Sequence, residues 1–309
     1  MKAWSLNYRD LAMPSGGYPG NSKVSNNPPL IPLSDGAGEI VELGTGVSQF
    51  AVGDRVAGSF FQNWAEGPIN KDAMASGLGG AIDGVLAEEV VLSEKGIVKI
   101  PTDYSFAQAA CLPCAAVTAF EALTVANTTK GDSVLTLGTG GVSLFVVQLA
   151  KALGANVFLT SSSDIKLHKA ASLGADELIN YNKTPDWDQE VIKRNNSSGV
   201  DHVIELGGAG TFSRSLNAAK VGGHISLIGV LTGDQVELPS PMPILFKRLC
   251  VQGIYVGPRS RFESLVTFIE KHEIYPVIDD KQFSFTQAQE AFRYLKSGAH
   301  FGKVVILAD

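Results

Sequence analysis

The chain has 309 residues, 45% of them hydrophobic, and its 25 basic and 31 acidic side chains give a formal net charge of -6. This length exceeds that of a typical single domain, so we expect two lobes with separate cores, although one large α/β domain would also accommodate it. The acidic balance, with no run of Lys or Arg, argues against a nucleic-acid-binding surface. No stretch resembles a membrane span or a secretory signal, and three cysteines do not make a disulfide framework, so we expect a cytoplasmic protein.

Two different patterns follow each other along the chain. Residues 31–93 contain short β-rich runs between Gly and Asp turns, among them GEIVELG, VGDRVAGSFF and VLAEEVVL, and predict a small antiparallel barrel. Beyond residue 105, helical and strand patterns alternate, which is typical of βαβ units on a parallel sheet covered on both faces. We therefore predict an α/β protein with a doubly wound parallel sheet over residues 106–271. A β-barrel domain would comprise residues 1–105 and 272–309, the last strand being GKVVILA.

The glycine-rich turn VLTLGTGGVS follows a predicted strand and opens a predicted helix. In a dinucleotide turn, Gly138 would make the tight bend, Gly140 would let the backbone approach a pyrophosphate, and Ser143 would allow close helix packing. Gly141 and Val142 then begin the helix, whose free N–H groups and partial positive charge suit phosphates. The context favours a cofactor turn over a glycine turn that serves packing alone.

The end of the next predicted strand, in FLTSSSDIK, indicates which dinucleotide fits. An Asp or Glu there would bind the ribose hydroxyls and repel a 2′-phosphate. Ser161 takes that place, Ser162 adds a hydroxyl, and Lys166 lies within one helical turn. The sequence therefore favours NADP(H). Asp164 is either the N-cap of a helix that begins at Ile165 or a residue that faces the ligand.

Motifs spread over nearly the whole chain, among them LNYRDL, PLIPLSDGAGEIVELGTGV, LPCAAVTAFEAL, GTGGVSLFVVQLAKALGA and HFGKVVI, resemble those of the medium-chain dehydrogenase/reductase superfamily. The similarity is greatest to its zinc-free, quinone-reductase-like branch, often labelled zinc-type alcohol dehydrogenase-like. This resemblance implies a GroES-like catalytic domain, a Rossmann domain, hydride transfer from a nicotinamide, and a homodimer. In this superfamily, strands normally precede the segment matching KAWSLNYRD, whereas here Met1 stands almost directly before it. The opening strands of the barrel are therefore expected to be missing.

The metal ligands of the zinc branch do not carry over to this sequence. A catalytic zinc takes three protein ligands and keeps one open position. The zinc branch supplies a Cys, a His-Glu pair and a second Cys, and the resemblance places Asn7, Ser34 with Asp35, and Cys114 at those positions. One thiol cannot hold the metal, so we predict no metal site. Without zinc, alcohol oxidation loses its electrophile, whereas a quinone or enone accepts hydride at carbon while charge moves onto its oxygen.

The resemblance also places Asn7, Tyr8 and Tyr18 beside the nicotinamide as catalytic candidates, although a buried structural role suits each tyrosine equally well. It implies four further cofactor contacts, namely Thr118 near the nicotinamide, Tyr181 near the 2′-phosphate, and Gly207 and Ile228 after successive strands.

The sequence thus predicts an NADPH-dependent, zinc-independent oxidoreductase that transfers hydride to a quinone or an α,β-unsaturated carbonyl. Two alternatives stay open. One is a zinc-type alcohol dehydrogenase, and the other is a non-catalytic NADPH-binding protein, which the shortened catalytic domain would explain. A small-molecule substrate is expected for the reductase and for the alcohol dehydrogenase. Neither nucleic acid nor membrane is an expected partner.

Overall fold

The structure is a computed structural model that describes most of the chain, namely residues 1–13, 29–229, 231–232 and 240–308. The chain divides into two compact units. The first unit is Met1–Val117 with Val256–Asp309, and the second unit is Thr118–Tyr255. Among the described residues, no helix is long and apolar enough to cross a membrane.

The N-terminal segment of the first unit carries short elements. These are β1 (Ala3–Ser5), α1 (Tyr8–Ala12), β2 (Asp35–Glu39), β3 (Arg55–Gly58), α2 (Lys71–Met74), a 3₁₀ helix (Glu94–Gly96), β4 (Ile97–Lys99), α3 (Phe106–Ala110) and a π-helix (Leu112–Ala116).

The run VLAEEVVL does not form the strand that its alternation predicts. The N–H groups of Val85 and Leu86 donate to the carbonyls of Leu33 and Pro32, and no regular ladder continues beyond them in the described residues. Val91 is fully exposed. The alternation is wrong as a strand signal here: Leu92 packs its side chain against β3, but the second half of the run forms no backbone ladder with a neighbouring strand in the described residues.

The second unit alternates helices and strands, as the sequence predicts. Its elements are α4 (Val117–Val125, beginning at the boundary), β5 (Ser133–Leu137), α5 (Gly141–Ala152), β6 (Asn156–Ser161), α6 (Asp164–Ala171), β7 (Glu177–Asn180), α7 (Trp187–Arg194), β8 (Val200–Glu205), α8 (Phe212–Ala218), β9 (Ala219–Leu227), α9 (Met242–Phe246) and β10 (Cys250–Gly253).

The six strands of the second unit form one sheet in the order β10-β9-β8-β5-β6-β7, and every neighbouring pair is parallel. The central strand β5 is buried along its whole length because helices cover both faces of such a sheet. The strand order reverses between β5 and β8, which defines the doubly wound Rossmann arrangement. The predicted parallel sheet is confirmed.

The C-terminal segment lies in the first unit. It forms α10 (Arg259–His272), β11 (Phe283–Ser284), a 3₁₀ helix (Phe285–Gln287), α11 (Ala288–Ser297) and β12 (Val305–Leu307). Among the described residues, the sheet of this unit has the order β11-β12-β1-β2-β3-β4, with β1 antiparallel to both β12 and β2. Its core is built around Trp4, Leu6, Leu33, Val304 and Ile306.

The boundaries between the two units differ from those expected at residues 105/106 and 271/272. Helix α3 packs against β1, β2 and β12, and α10 packs against β4, so both helices belong to the first unit. Helical periodicity does not reveal the sheet against which a helix packs, so the pattern alone groups these helices with the Rossmann strands.

Candidate active site

The glycine turn after β5 combines a left-handed residue with open space. Gly138 has φ +82°, a conformation that side chains with a β-carbon rarely adopt. Gly140, the N-cap of α5, has φ -81°, and a β-carbon there would meet nothing within 4 Å, so neither backbone nor packing requires glycine. Glycine is a favourable N-cap residue, and it also lets a ligand approach the backbone closely, as in a dinucleotide turn.

The start of α5 is fixed to the end of β5. Ser143 is buried, and its Oγ donates to the carbonyl of Leu137 at 2.8 Å, so a small residue here lets the helix pack closely. Gly141 and Val142 lie in the first turn, and no side chain caps it. The first N–H groups of this 12-residue helix are therefore available to an anion at the glycine turn.

The other predicted cofactor residues follow the carboxyl ends of neighbouring strands. Ser161 ends β6, and Tyr181 follows β7 and donates its N–H to the Ser161 carbonyl at 3.1 Å. Gly207 follows β8, and Ile228 follows β9 and donates its N–H to the Glu205 carbonyl at 2.9 Å. Carboxyl ends of parallel strands meet at one edge of a sheet, so the structure brings these residues to the edge that carries the glycine turn.

Glu205 organises the loop after β8. The sequence did not suggest this role. This carboxylate is fully buried, and its Oε1 accepts from the N–H groups of Gly207 at 2.7 Å and Gly208 at 2.8 Å and from Thr211 Oγ1 at 2.5 Å. Its Oε2 accepts from the Ser215 hydroxyl. These bonds offset the cost of burying the carboxylate and hold Gly207 in place. The available signal was an acid that ends the apolar strand in VIELGG.

The N-cap of α6 is Ser163, whose Oγ accepts from the Lys166 N–H, so the predicted cap at Asp164 is wrong. Ser163 has the extended backbone of a cap, whereas Asp164 already lies in the helix. Asp164 instead accepts from Lys183 Nζ at 2.5 Å and Asn180 Nδ2 at 2.7 Å, and these two partners lower its pKa. The Asp164 carboxylate is thus paired with groups at the end of β7 and just after it.

The side chains predicted to surround a 2′-phosphate differ in exposure. Ser161 is only 3% exposed, whereas Ser162 is exposed and Tyr181 is 40% exposed. Lys166 is half-buried in the first turn of α6. Thr118 is buried on α4, and no contact described in the structure joins it to these strand ends.

In the first unit, a buried cation lies among the positions that correspond to the zinc ligands. Lys303 is 3% exposed, and its Nζ donates to the Leu6 carbonyl at 2.8 Å and to Asn7 Oδ1 at 2.5 Å. The same Nζ lies 3.8 Å from Asp35 Oδ2. The sequence did not suggest Lys303, although it stands in the HFGK motif.

Asp35 connects this cation to the two other zinc-ligand positions. It is fully buried, and its Oδ1 accepts from Ser34 Oγ at 2.7 Å while its Oδ2 accepts from the Cys114 N–H at 3.2 Å. Burial, and then the Asp35 charge, raise the pKa of the Cys114 thiol. Burial also raises the pKa of Cys111 to about 11. Both thiols therefore stay protonated at neutral pH, and a protonated thiol is not a metal ligand.

These residues do not fit a catalytic zinc. An amide oxygen and a carboxylate already face an ammonium group, and the remaining groups are a serine hydroxyl and a protonated thiol. A divalent ion at this place would be repelled by Lys303. Across the described residues, no group of three or more His, Cys, Asp or Glu side chains could hold a metal.

The predicted catalytic residues have different surroundings. Asn7 is the N-cap of α1, its N–H donates to Asp10 Oδ2 at 2.7 Å, and its Nδ2 is buried without a hydrogen-bond partner among the described residues. Tyr8 begins α1 and is 46% exposed. Tyr18 lies outside the described residues. Burial raises the pKa of Asp10 to about 6.

Comparison with known proteins places this chain in a family. The alcohol dehydrogenase GroES-like domain matches residues 1–102, and the zinc-binding dehydrogenase domain matches residues 141–271. A zinc-type alcohol dehydrogenase-like protein of Schizosaccharomyces pombe is 44% identical over 100% of this chain and 90% of its own length. The chain belongs to the medium-chain dehydrogenase/reductase superfamily. It is an oxidoreductase of that family, with the GroES-like domain and parallel sheet that the resemblance implies.

Two further members illustrate the range of the superfamily. A 2-methylene-furan-3-one reductase of Solanum lycopersicum is 34% identical over 93% of this chain and 66% of its own length. The crystal structure of an NAD-dependent alcohol dehydrogenase superimposes with a TM-score of 0.87 at 31% identity, covering 100% of this chain and 90% of the other. Members similar to this chain thus include both an enone reductase and an alcohol dehydrogenase.

Proposed function

We propose that this protein is an NADPH-dependent, zinc-independent reductase that transfers hydride to a quinone or an α,β-unsaturated carbonyl. The observation that carries the proposal is the Lys303 ammonium, which lies between Asn7 and Asp35 where the zinc branch places its metal ligands. The similarity to a 2-methylene-furan-3-one reductase supports the same class of acceptor.

The residues of the second unit fit NADP(H), a dinucleotide that carries a 2′-phosphate. The open turn at Gly138 and Gly140 and the uncapped start of α5 would hold the pyrophosphate. Ser161, Ser162, Lys166 and Tyr181 would surround the 2′-phosphate, and the charge of the nearby Asp164 carboxylate is partly offset by its ion pair with Lys183. The positions proposed for the nicotinamide half are Thr118, Gly207 and Ile228.

The chemistry needs little from the first unit beyond hydrogen-bond donors. When bound, NADPH supplies a hydride to the electrophilic carbon of the acceptor and becomes NADP⁺, and a proton from water completes the two-electron reduction. The negative charge that develops on the acceptor oxygen is stabilised by preorganised donors in a site that excludes water. An alcohol substrate would instead need a Lewis acid or a general base to take the proton from its hydroxyl.

A panel of acceptors tests this function. The purified protein should oxidise NADPH with 1,4-benzoquinone and 2-cyclohexen-1-one, more slowly use NADH, and show no oxidation of primary alcohols with NADP⁺. Zinc-dependent alcohol oxidation would contradict the proposal. NADPH binding without consumption across the whole panel would indicate a non-catalytic NADPH-binding protein instead.

We also infer a homodimer that forms through the edge of the second unit. Strand β10 is the last strand of its sheet, so one of its sides carries unpaired backbone groups within the described residues. Helix α9 exposes Leu245 at 63% and Phe246 at 76%. Because exposed apolar groups beside an open strand favour association, Phe246→Asp should convert a dimer to a monomer in light-scattering measurements. A monomeric wild-type protein would contradict the inference.

A further inference from the structure

The contact with Lys303 fixes the orientation of the Asn7 carboxamide. A lysine ammonium has donors and no acceptor, so only the oxygen of the amide can face it. The 2.5 Å contact from Nζ therefore identifies the Oδ1 atom of Asn7. Nδ2 lies on the other side of the same carboxamide group. The main chain of Asn7 is fixed as well, because its N–H donates to Asp10 Oδ2. Asn7 is thus held at its backbone and at one end of its amide.

Within the described residues, the Nδ2 side of the Asn7 amide has no hydrogen-bond partner. This nitrogen is also buried. Leaving such a buried donor unpaired destabilises the folded protein. The oxygens of Leu6 and Asp35 already surround the Lys303 ammonium on its other sides. A donor that is held this firmly and left unsatisfied is suited to an oxygen that a ligand brings.

We propose that Asn7 donates a hydrogen bond from Nδ2 to the acceptor oxygen on which negative charge develops, and that Lys303 is the positioning residue that holds the amide in this orientation. The ammonium also withdraws electron density from the amide through Oδ1, which makes the Nδ2 hydrogens stronger donors. Lys303 thereby contributes a fixed positive charge where the zinc branch has a metal ion, without contacting the acceptor. This inference rests on the proposed reductase function.

The substitution Asn7→Asp tests the donor. An aspartate has nearly the same shape and still accepts from Lys303, but it offers no hydrogen to the acceptor. Loss of one oxyanion donor lowers kcat by about 100- to 1,000-fold, and a loss of at least about 100-fold is expected here. The dissociation constant of NADPH and the melting temperature should stay close to wild type. Wild-type turnover in this variant would overturn the proposal.

The role of Lys303 is tested with a charge-balanced pair, Lys303→Met with Asp35→Asn, because removing the lysine alone would leave a buried carboxylate. If Lys303 acts through Asn7, adding Asn7→Ala to this pair should lower kcat no further than Asn7→Ala alone. Losses that multiply would overturn the positioning role. Lys247→Met is the matched control, because Lys247 also donates to main-chain carbonyls, and these carbonyls belong to the second unit. Its kcat should be that of the wild type.

A readout that needs no turnover separates this inference from the proposed function. The side-chain NH₂ signals of Asn7 can be followed by NMR in the NADP⁺ complex, where no hydride is available, while 2-cyclohexen-1-one is added. A downfield shift that is absent in the Lys303→Met/Asp35→Asn variant supports the inference even if the acceptor panel fails. Unchanged Asn7 signals in an active wild-type enzyme would overturn the inference and leave the function intact.

Discussion

The two units of this protein build their candidate sites in different ways. In the second unit, the candidate site residues other than Thr118 lie at or after the carboxyl ends of strands, and the parallel sheet brings these strand ends together. In the first unit, Asn7 meets Lys303 across 296 residues of sequence, and Asp35 reaches Cys114 across 79. The dinucleotide side is therefore encoded locally, whereas the acceptor side depends on long-range packing.

The two units also bury titratable groups of opposite type. In the second unit, His202 is buried between Thr128 and Ser226, and burial lowers its pKa to about 3, with a smaller effect from His224. In the first unit, burial raises the pKa of Asp10 to about 6. Opposite pKa shifts predict that the free energies of unfolding of the two units depend on pH with opposite sign. Acid titration therefore distinguishes the stability of one unit from that of the other.

The largest predicted effect concerns His202. Its folded-state pKa is lower than the ordinary value of 6.5, so the unfolded chain binds the extra proton first as the pH falls. The free energy of unfolding of the second unit should therefore fall between pH 6.5 and about 3, by up to about 5 kcal/mol at roughly 1.4 kcal/mol per pKa unit. His202→Gln should flatten this dependence in urea titrations. His168→Gln, on an exposed part of α6, is the control and should leave the dependence unchanged.

The second effect has the opposite sign and lies in the first unit. The folded-state pKa of Asp10 is raised from 3.8 to about 6, so its contribution is most favourable below pH 4 and is lost as the pH rises to about 6. The loss is of the order of 3 kcal/mol. Asp10→Asn keeps an oxygen for the Asn7 N–H and should remove this dependence. An unchanged pH profile of the first unit in this variant would contradict the assignment.

The third prediction asks whether Gly140 is a ligand residue. Gly140→Ala adds a methyl group where the structure has open space, so NADPH binding should weaken about tenfold, or about 1.4 kcal/mol. The weaker helix N-cap should lower stability by no more than about 1 kcal/mol. Gly44→Ala is the control, because its β-carbon also meets nothing within 4 Å, and its binding of NADPH should be unchanged. Fluorescence titration measures both, and equal affinities would show that Gly140 is only a turn residue.

The smallest effect concerns the choice of cofactor. Ser161→Asp places a carboxylate at the end of β6, so NADPH affinity should fall several-fold, a change of about 1 kcal/mol, while NADH is relatively favoured. Ser161→Asn is the control, because asparagine has nearly the same size as aspartate without its charge, and this variant should retain the preference for NADPH. A wild-type protein that already binds NADH more tightly than NADPH would mean that this strand end was wrongly interpreted.

The same division between local and long-range contacts explains which features could be predicted from the sequence. The glycine turn and the strand-end positions were predictable because the motif, the strand and the helix are adjacent in the chain. Glu205 and Lys303 were missed because their roles arise from contacts that sequence spacing does not record. The VLAEEVVL strand and the Asp164 cap were wrong, since alternation and cap spacing are local signals that tertiary packing overrides.

We propose that a buried lysine, not a metal, organises the acceptor site of this protein. The most direct measurement is the zinc content of the purified protein together with its NADPH-dependent reduction of 2-cyclohexen-1-one before and after treatment with a strong chelator. We predict that zinc is far below one ion per chain and that turnover is unchanged by the chelator. One zinc per chain, with turnover that disappears on its removal and returns on its addition, would contradict the claim.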